Sequence, residues 1–184
     1  MNIGLVRHFK VAYQPDNRWM TSEQFNQWVE RYDYSDICVS AFLGCDLKWD
    51  ICLSSDLHRA VKTAEFIYEG PVIKTAQLRE IGMSWPSQSS FKLHYYAWQI
   101  LARLAWYFSY PSQEESRRET GLRARQFIDH IEENYRESNV LIVSHGAFIK
   151  CLTQELLRRG YKGKRPYKPE NGKLYTYLKT IYQQ

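Results

Sequence analysis

NIGLVRHFK, residues 2–10, opens with a short, largely apolar run from Asn2 to Val6 and stops on Arg7 and His8. Such a run, too brief for a helix and without polar alternation, reads as a strand buried on both faces. Two further runs share its character, DICL at Asp50 to Leu53 and NVLIV at Asn139 to Val143. Segments of helical period lie between them. TSEQFNQWVERYD begins with Thr21 and Gln24 in capping-box spacing and carries Phe25, Trp28, Val29 and Tyr32 as one stripe. DLHRAVKTAEFIYEG has Asp56 as its expected cap and Gly70 at its end, with Leu57, Ala60, Val61, Ala64, Ile67 and Tyr68 on one side. SQEESRRETGLRARQFIDHIEENY is expected to open on Ser112 and Glu115 as a second capping box, with Leu122, Phe127, Ile128 and Ile131 facing the core. GAFIKCLTQELLRRG makes a further helix bounded by Gly146 and Gly160, and the closing GKLYTYLKTIY alternates Leu174, Thr176, Leu178 and Thr180 with Tyr and Lys, as a strand near a sheet edge would. Short apolar strands alternating with helices imply an α/β fold whose mostly parallel central sheet is covered on both faces.

The 184 residues suit one domain, residues 1–184, and a hydrophobic content of 44% is ordinary for a globular chain. Six Trp, fourteen Tyr and eight Phe can fill either a core or a cleft. The net charge of +5 favours anionic partners. Much of the excess lies in RRGYKGKRPYK, where Arg158, Arg159, Lys162, Lys164, Arg165 and Lys168 meet no acid within the stretch; a solvated basic loop is the expected form. No recognised nucleic-acid module surrounds it, so nucleic acid is not expected as a partner. Cys38, Cys45, Cys52 and Cys151 show neither CxxC pairing nor zinc-like spacing with histidine, and are read as reduced and mostly buried. FKLHYYAWQILARLAWYFSY approaches membrane-spanning length but carries Lys92, His94, Gln99 and Arg103, so it is expected as a buried or cleft-lining helix rather than a span. No secretory signal is visible, and a cytoplasmic location is expected.

In a parallel sheet, functional groups gather beyond the carboxyl ends of the strands, beside helix N-termini. Here the first strand ends on Arg7 and His8, the second on SSDLHR with Arg59 in the following first helical turn, and the third on SHG with His145. Arginine offers a planar fork of donors matched to phosphate oxygens, and two of them with a helix N-terminus can bind a phosphoryl group and stabilise its transition state. A neutral imidazole can attack phosphorus, and neighbouring arginines disfavour the imidazolium form. No metal or other cofactor is required by that chemistry. A leaving alkoxide needs a proton donor, and Glu80, in QLREIGMSWP before a loop spanning Ser84 to Ser90, is the candidate.

LVRH, SSDLHRAVKTAEFI, LREIGM and VSHGAFIK, in that order, resemble the histidine phosphatase superfamily, the phosphoglycerate mutase-like proteins, over nearly the whole chain. The resemblance implies a three-layer α/β/α fold and the small phosphatase branch. It implies His8 as phospho-accepting nucleophile, Arg7, Arg59 and His145 as phosphoryl ligands, and Glu80 as proton donor. The chain departs from the family's RHG at Phe9, whose ring is expected to crowd the pocket where glycine gives access. Where many members carry a phosphate-contacting Asn, this sequence has Gln14, or Asn17 after a shift. His94, at the head of the aromatic helix, is a further pocket candidate, whereas His58 and His130 read as surface residues. Ser54, Ser55 and Ser144 lie nearby but lack G-x-S-x-G, which argues against a serine hydrolase.

The expected function is therefore a metal-independent phosphatase acting on phosphomonoesters through a phosphohistidine on His8. The partner would be a small phosphorylated substrate or a phosphoprotein, with no membrane involved. The alternatives keep the chemistry with a phosphohistidine or other phosphoprotein substrate or a phosphomutase outcome, or, in another class, make the chain a non-catalytic phosphate-binding regulator, which Phe9 suggests.

Overall fold

A computed structural model describes residues 1–39, 42, 47–83, 85, 89–110, 113 and 115–179. In chain order its elements are β1 (Asn2–Arg7), β2 (Lys10–Val11), β3 (Trp19–Met20), α1 (Ser22–Tyr34), β4 (Ile37–Cys38), β5 (Ile51–Ser55), α2 (His58–Ile67), β6 (Val72–Thr75), a 3-10 turn (Ala76–Leu78), β7 (Leu93–His94), α3 (Tyr95–Tyr107), α4 (Arg117–Asn134), β8 (Val140–Ser144), α5 (Gly146–Arg158), β9 (Lys162–Gly163) and β10 (Leu174–Leu178). Six strands form the central sheet in the order β6-β5-β8-β1-β10-β9. β6, β5, β8 and β1 run parallel, and β10 and β9 continue the sheet antiparallel.

Alternation along the central strands feeds both faces of this sheet. Ile3, Leu5, Val140 and Ile142 meet Phe127, Ile128 and Ile131 of α4 and Phe148, Ile149 and Leu152 of α5. Val6, Leu141 and Val143 point the other way, against Ala60 and Ala64 of α2. The result is a three-layer α/β/α sandwich. A satellite cluster of Met20, Phe25, Trp28 and Trp98 joins α1 to α3 above the sheet's carboxyl edge.

Thr21 caps α1 with the expected reciprocal Gln24 bond. Two other caps differ from expectation. α2 begins after Leu57 without a side-chain cap, because Asp56 is drawn to Arg79, whose Nε and Nη2 donate to it at 2.7 and 2.6 Å. α4 is capped by Ser116 with Glu119, one repeat beyond the expected box; Glu115 pairs with Arg123 instead, and Ser112 lies outside the described residues. Leu122 is exposed, so the core face of α4 is set by Ala124, Phe127, Ile128 and Ile131. In β10 the buried residues are Tyr175 and Tyr177, while Leu178 is exposed and Thr180 lies outside the described residues.

The start of the basic stretch does find acids, from α4 and from within α5. Arg158 pairs with Glu155, and Arg159 reaches Asp129, Glu132 and Glu155, each at 2.7 Å. Tyr161 is buried, with its hydroxyl donating to Glu132. Of the cysteines, Cys52 is buried, Cys151 partly so and Cys38 exposed; Cys45 lies outside the described residues. Among the described residues no helix is long and apolar enough to cross a membrane.

Candidate active site

The carboxyl ends of the four parallel strands converge on one cleft of about 540 Å³. β1 delivers Arg7 and His8. The His8 amide donates to the Ser144 carbonyl at 3.0 Å, and the His8 carbonyl accepts from Asn171 Nδ2 at 2.7 Å, so the backbone is held from both sides. The His8 ring is nearly fully buried, and its Nδ1 lies 2.6 Å from the Phe9 carbonyl. A carbonyl can only accept, so Nδ1 carries the proton and the Nε2 lone pair is left for chemistry.

The second strand of the site, β5, ends on Ser55, whose hydroxyl lies 2.9 Å from His145 Nε2. His145 is fully buried at the end of β8, immediately before α5, and its ring centroid is 5.0 Å from that of His8. The rings are coupled electrostatically. Burial, then the Arg59 and Arg7 guanidiniums, hold His8 well below the ordinary imidazole value, against a raising contribution from the Phe9 carbonyl bond. Burial and then His8, Arg59 and Arg7 depress His145 likewise. Both rings are neutral near neutral pH.

Arg59 is buried in the first turn of α2, on the side its helical period assigns to solvent, because α1 covers it: Nη1 donates to Asp33 Oδ1 at 2.6 Å and the guanidinium lies 5.3 Å from the Tyr32 ring centroid. One turn later Thr63, also buried, donates to the Arg59 carbonyl at 2.7 Å and accepts the Phe9 amide at 2.9 Å. That residue ties the arginine helix to the histidine loop. Arg7 donates from Nη1 to the Pro169 carbonyl at 2.9 Å. A Cβ at Gly146 would sit 3.2 Å from Arg7 Cζ and Nε, so glycine there leaves the guanidinium its room beside the α5 N-terminus.

Arg7 Nε, Arg59 Nε and His145 Nδ1 are buried without a hydrogen-bond partner. Orphaned buried polar atoms are costly, at about 1–3 kcal/mol each, and three of them on residues gathered around His8 fit an anion-binding site. Glu80, partly buried on the cleft wall, accepts the Ala147 and Phe148 amides of α5 at 3.2 and 3.1 Å and lies 3.7 Å from Arg103 Nη2. It fills the helix N-terminus from the side while facing the cleft. Among the described residues no group of three His, Cys, Asp or Glu is arranged to hold a metal ion.

Arg7, His8, Arg59 and Glu80 line the cleft, with His145 behind His8; Gln14 lines it too, exposed at the mouth. Three other candidates are placed elsewhere. The Phe9 ring is fully buried and packs edge-on against Phe66 at 5.5 Å rather than crowding the cleft, because alternation along the chain sends the side chain after His8 under α2. Asn17 spends its Oδ1 on the Trp19 amide at 2.9 Å, outside the cleft. His94 is the N-cap of α3, accepting the Tyr96 amide and packing edge-on to Trp19. Sequence reasoning missed Asp33, Thr63, Asn171 and the cleft cations Lys10, Arg18, Arg103, Lys150 and Lys168. With Arg7 and Arg59, seven Lys and Arg among the described residues line the cleft against one carboxylate, Glu80. Helical spacing alone could have found two of these residues, Thr63 one turn after Arg59 and Lys150 one turn after Gly146.

No curated protein matches the chain by sequence. Among solved structures the chain is similar to the alpha-ribazole phosphatase of Shigella flexneri (TM-score 0.58, 20% identity, covering 96% of this chain and 89% of that one). It is also similar to a mycobacterial glucosyl-3-phosphoglycerate phosphatase (TM-score 0.53, 22% identity, 85% and 79% covered). A third is a mutant phosphoserine phosphatase from Entamoeba histolytica, solved with phosphoserine (TM-score 0.55, 16% identity, 96% and 90% covered). At these identities the likeness is one of fold. A family model, the histidine phosphatase superfamily (branch 1), matches residues 40–179, a span that includes Arg59, Glu80 and His145 and begins after Arg7 and His8. With most of its length inside that match, and its sheet, layers and strand-end cleft agreeing with it, the chain belongs to the histidine phosphatase superfamily, branch 1.

Proposed function

We propose that the protein is a metal-independent phosphatase that hydrolyses phosphomonoesters through a phosphohistidine on His8. The observation that carries this reading is the tautomer of His8: a buried, neutral ring with Nδ1 fixed to a backbone carbonyl and Nε2 left as the nucleophile, beside two arginines. In the first step the Nε2 lone pair forms a bond to phosphorus, the P–O ester bond breaks, and the departing alkoxide takes a proton from the Glu80 carboxyl. Arg7, Arg59 and His145 hold the equatorial oxygens and stabilise the charge on them. In the second step water attacks phosphorus and gives a proton to the Glu80 carboxylate; the P–N bond breaks, its electron pair returns to Nε2, and inorganic phosphate leaves.

The non-catalytic alternative drew its support from Phe9, and the Phe9 ring lies under α2, away from the cleft. Turnover of p-nitrophenyl phosphate in the presence of a chelator, lost in a folded His8→Ala variant, is the expected result. Undiminished turnover by that variant, or dependence on added metal, would overturn the reading.

A further inference from the structure

Helix α3 is apolar around nearly its whole circumference, but only one side of it is covered. Trp98 and Ala102 are buried, Trp98 within the satellite core. On the opposite side Tyr96, Ile100, Leu104 and Tyr107 follow one another at helical spacing and are 58%, 60%, 47% and 51% exposed. A helix apolar on both faces is ordinarily covered on both, and an open apolar patch of this kind marks a binding surface. These side chains line a shallow groove of about 580 Å³. Tyr96, Gln99 and Arg103 belong both to this groove and to the cleft that holds His8, so a cation-rich pocket opens directly onto an apolar trough.

We propose that the groove along α3 holds the apolar tail of the substrate, which is a phosphomonoester of a long-chain alcohol. This rests on the phosphatase reading above. The phosphoryl group lies at His8 among the cleft cations, and the chain leaves past Tyr96 to lie over Ile100 and Leu104. From Tyr96 to Tyr107 the helix offers roughly 16 Å of trough, long enough for an extended alkyl or isoprenoid chain. Both halves of such a ligand are matched, the anionic head by the excess of Lys and Arg and the tail by the exposed stripe. A second copy of the chain seated on this stripe would instead press against Tyr96, Gln99 and Arg103, the α3 wall of the cleft.

The test is kcat/KM for ethyl, butyl, hexyl and octyl phosphate, all below micelle-forming concentrations, with p-nitrophenyl phosphate as a reference for basal chemistry. A groove open on one side should recover about half of the full transfer free energy of each methylene, a gain of roughly twofold per methylene and about 60-fold from ethyl to octyl. In the double variant Ile100→Ser with Leu104→Ser, the octyl-to-ethyl ratio should fall to within roughly fivefold. Hydrolysis of p-nitrophenyl phosphate without a rise along the alkyl series overturns the groove assignment and leaves the phosphatase reading standing. Loss of all turnover, the reference included, overturns the phosphatase reading and the assignment with it. A flat series from a protein that sediments as a dimer, and as a monomer in the double variant, gives the face to a second copy and likewise overturns the assignment.

Discussion

Lowering the pH through 6.5, the ordinary value for a histidine, charges His8 and His145 in the unfolded chain before it charges them in the fold. Burial leads the depression of both rings, followed by charge: Arg59 and Arg7 acting on His8, and His8 itself then Arg59 acting on His145. Well above 6.5 neither state binds these protons and the pair leaves stability unchanged. Below it the unfolded state binds more protons than the native one, so stability falls as the pH falls, until the folded values are reached. Each ring contributes on the order of 1 kcal/mol by one pH unit below 6.5, so the pair together lowers stability by roughly 2–3 kcal/mol as the pH falls from about 8 to about 5.5. The paired carboxylates act in a lower window. Glu155, hydrogen-bonded by Arg158 and, against a burial penalty, by Arg159, is held down at about 2; its contribution is present above 4.5 and lost as the pH falls through the folded value. Denaturant titrations at constant ionic strength across this range measure the effect, and a His8→Gln variant should show about half of the loss. A wild-type stability that stays flat to about pH 5.5, or a full loss retained in His8→Gln, would refute the assignment of neutral buried rings.

Thr63→Val should leave the Phe9 amide unpaired in a buried site, costing about 1–3 kcal/mol and lowering Tm by roughly 3–10 °C, with turnover reduced and Thr63→Ser restoring both. Thermal melts alongside kinetics check it. Gly146→Ala brings a Cβ to 3.2 Å from the Arg7 guanidinium and should weaken vanadate inhibition by roughly tenfold, the equivalent of one charge-assisted hydrogen bond, read as a Ki at fixed pH. Glu80→Gln should lower kcat/KM, which reports the first step alone, by roughly 10²–10⁴-fold for alkyl phosphates and far less for p-nitrophenyl phosphate, because only the poor leaving group needs the proton. Its Tm should fall only a few degrees, since the amide oxygen still caps part of the α5 N-terminus. Equal slowing of both substrates would make Glu80 a cap alone.

The frame of the fold was legible because its decisive runs are apolar and short: the three expected apolar strands correspond to β1, β5 and β8, neighbours at the centre of the sheet, and the expected closing strand to β10 beside its edge. Their ends then positioned Arg7, His8 and His145 without further information. Caps were less legible. Ser112 with Glu115 and Ser116 with Glu119 have the same spacing, and the tertiary pairing of Glu115 with Arg123 goes with the later start. Asp56 has the chemistry of a cap but meets Arg79 from a distant loop. Phe9 was misread because a family glycine suggested a pocket-facing position, whereas the alternation of an extended chain carries its ring beneath α2 toward Phe66. Arg59 looked solvent-facing on helical period, and its cover by Asp33 and Tyr32 of α1 is a contact between helices that no local pattern encodes. Lys10, Arg18 and Lys168 reach the cleft from short strands and loops, where no period exists to read.

The central claim is that Nε2 of His8 carries the phosphoryl group between substrate and water. Rapid acid-free quenching during turnover, followed by peptide mapping by mass spectrometry, tests it directly. The account predicts a phosphate on the peptide containing His8 that is stable in base and lost in acid, and absent from His8→Ala. An acid-stable phosphate on Ser54, Ser55 or Ser144, or steady turnover with the His8 peptide never phosphorylated, would contradict it.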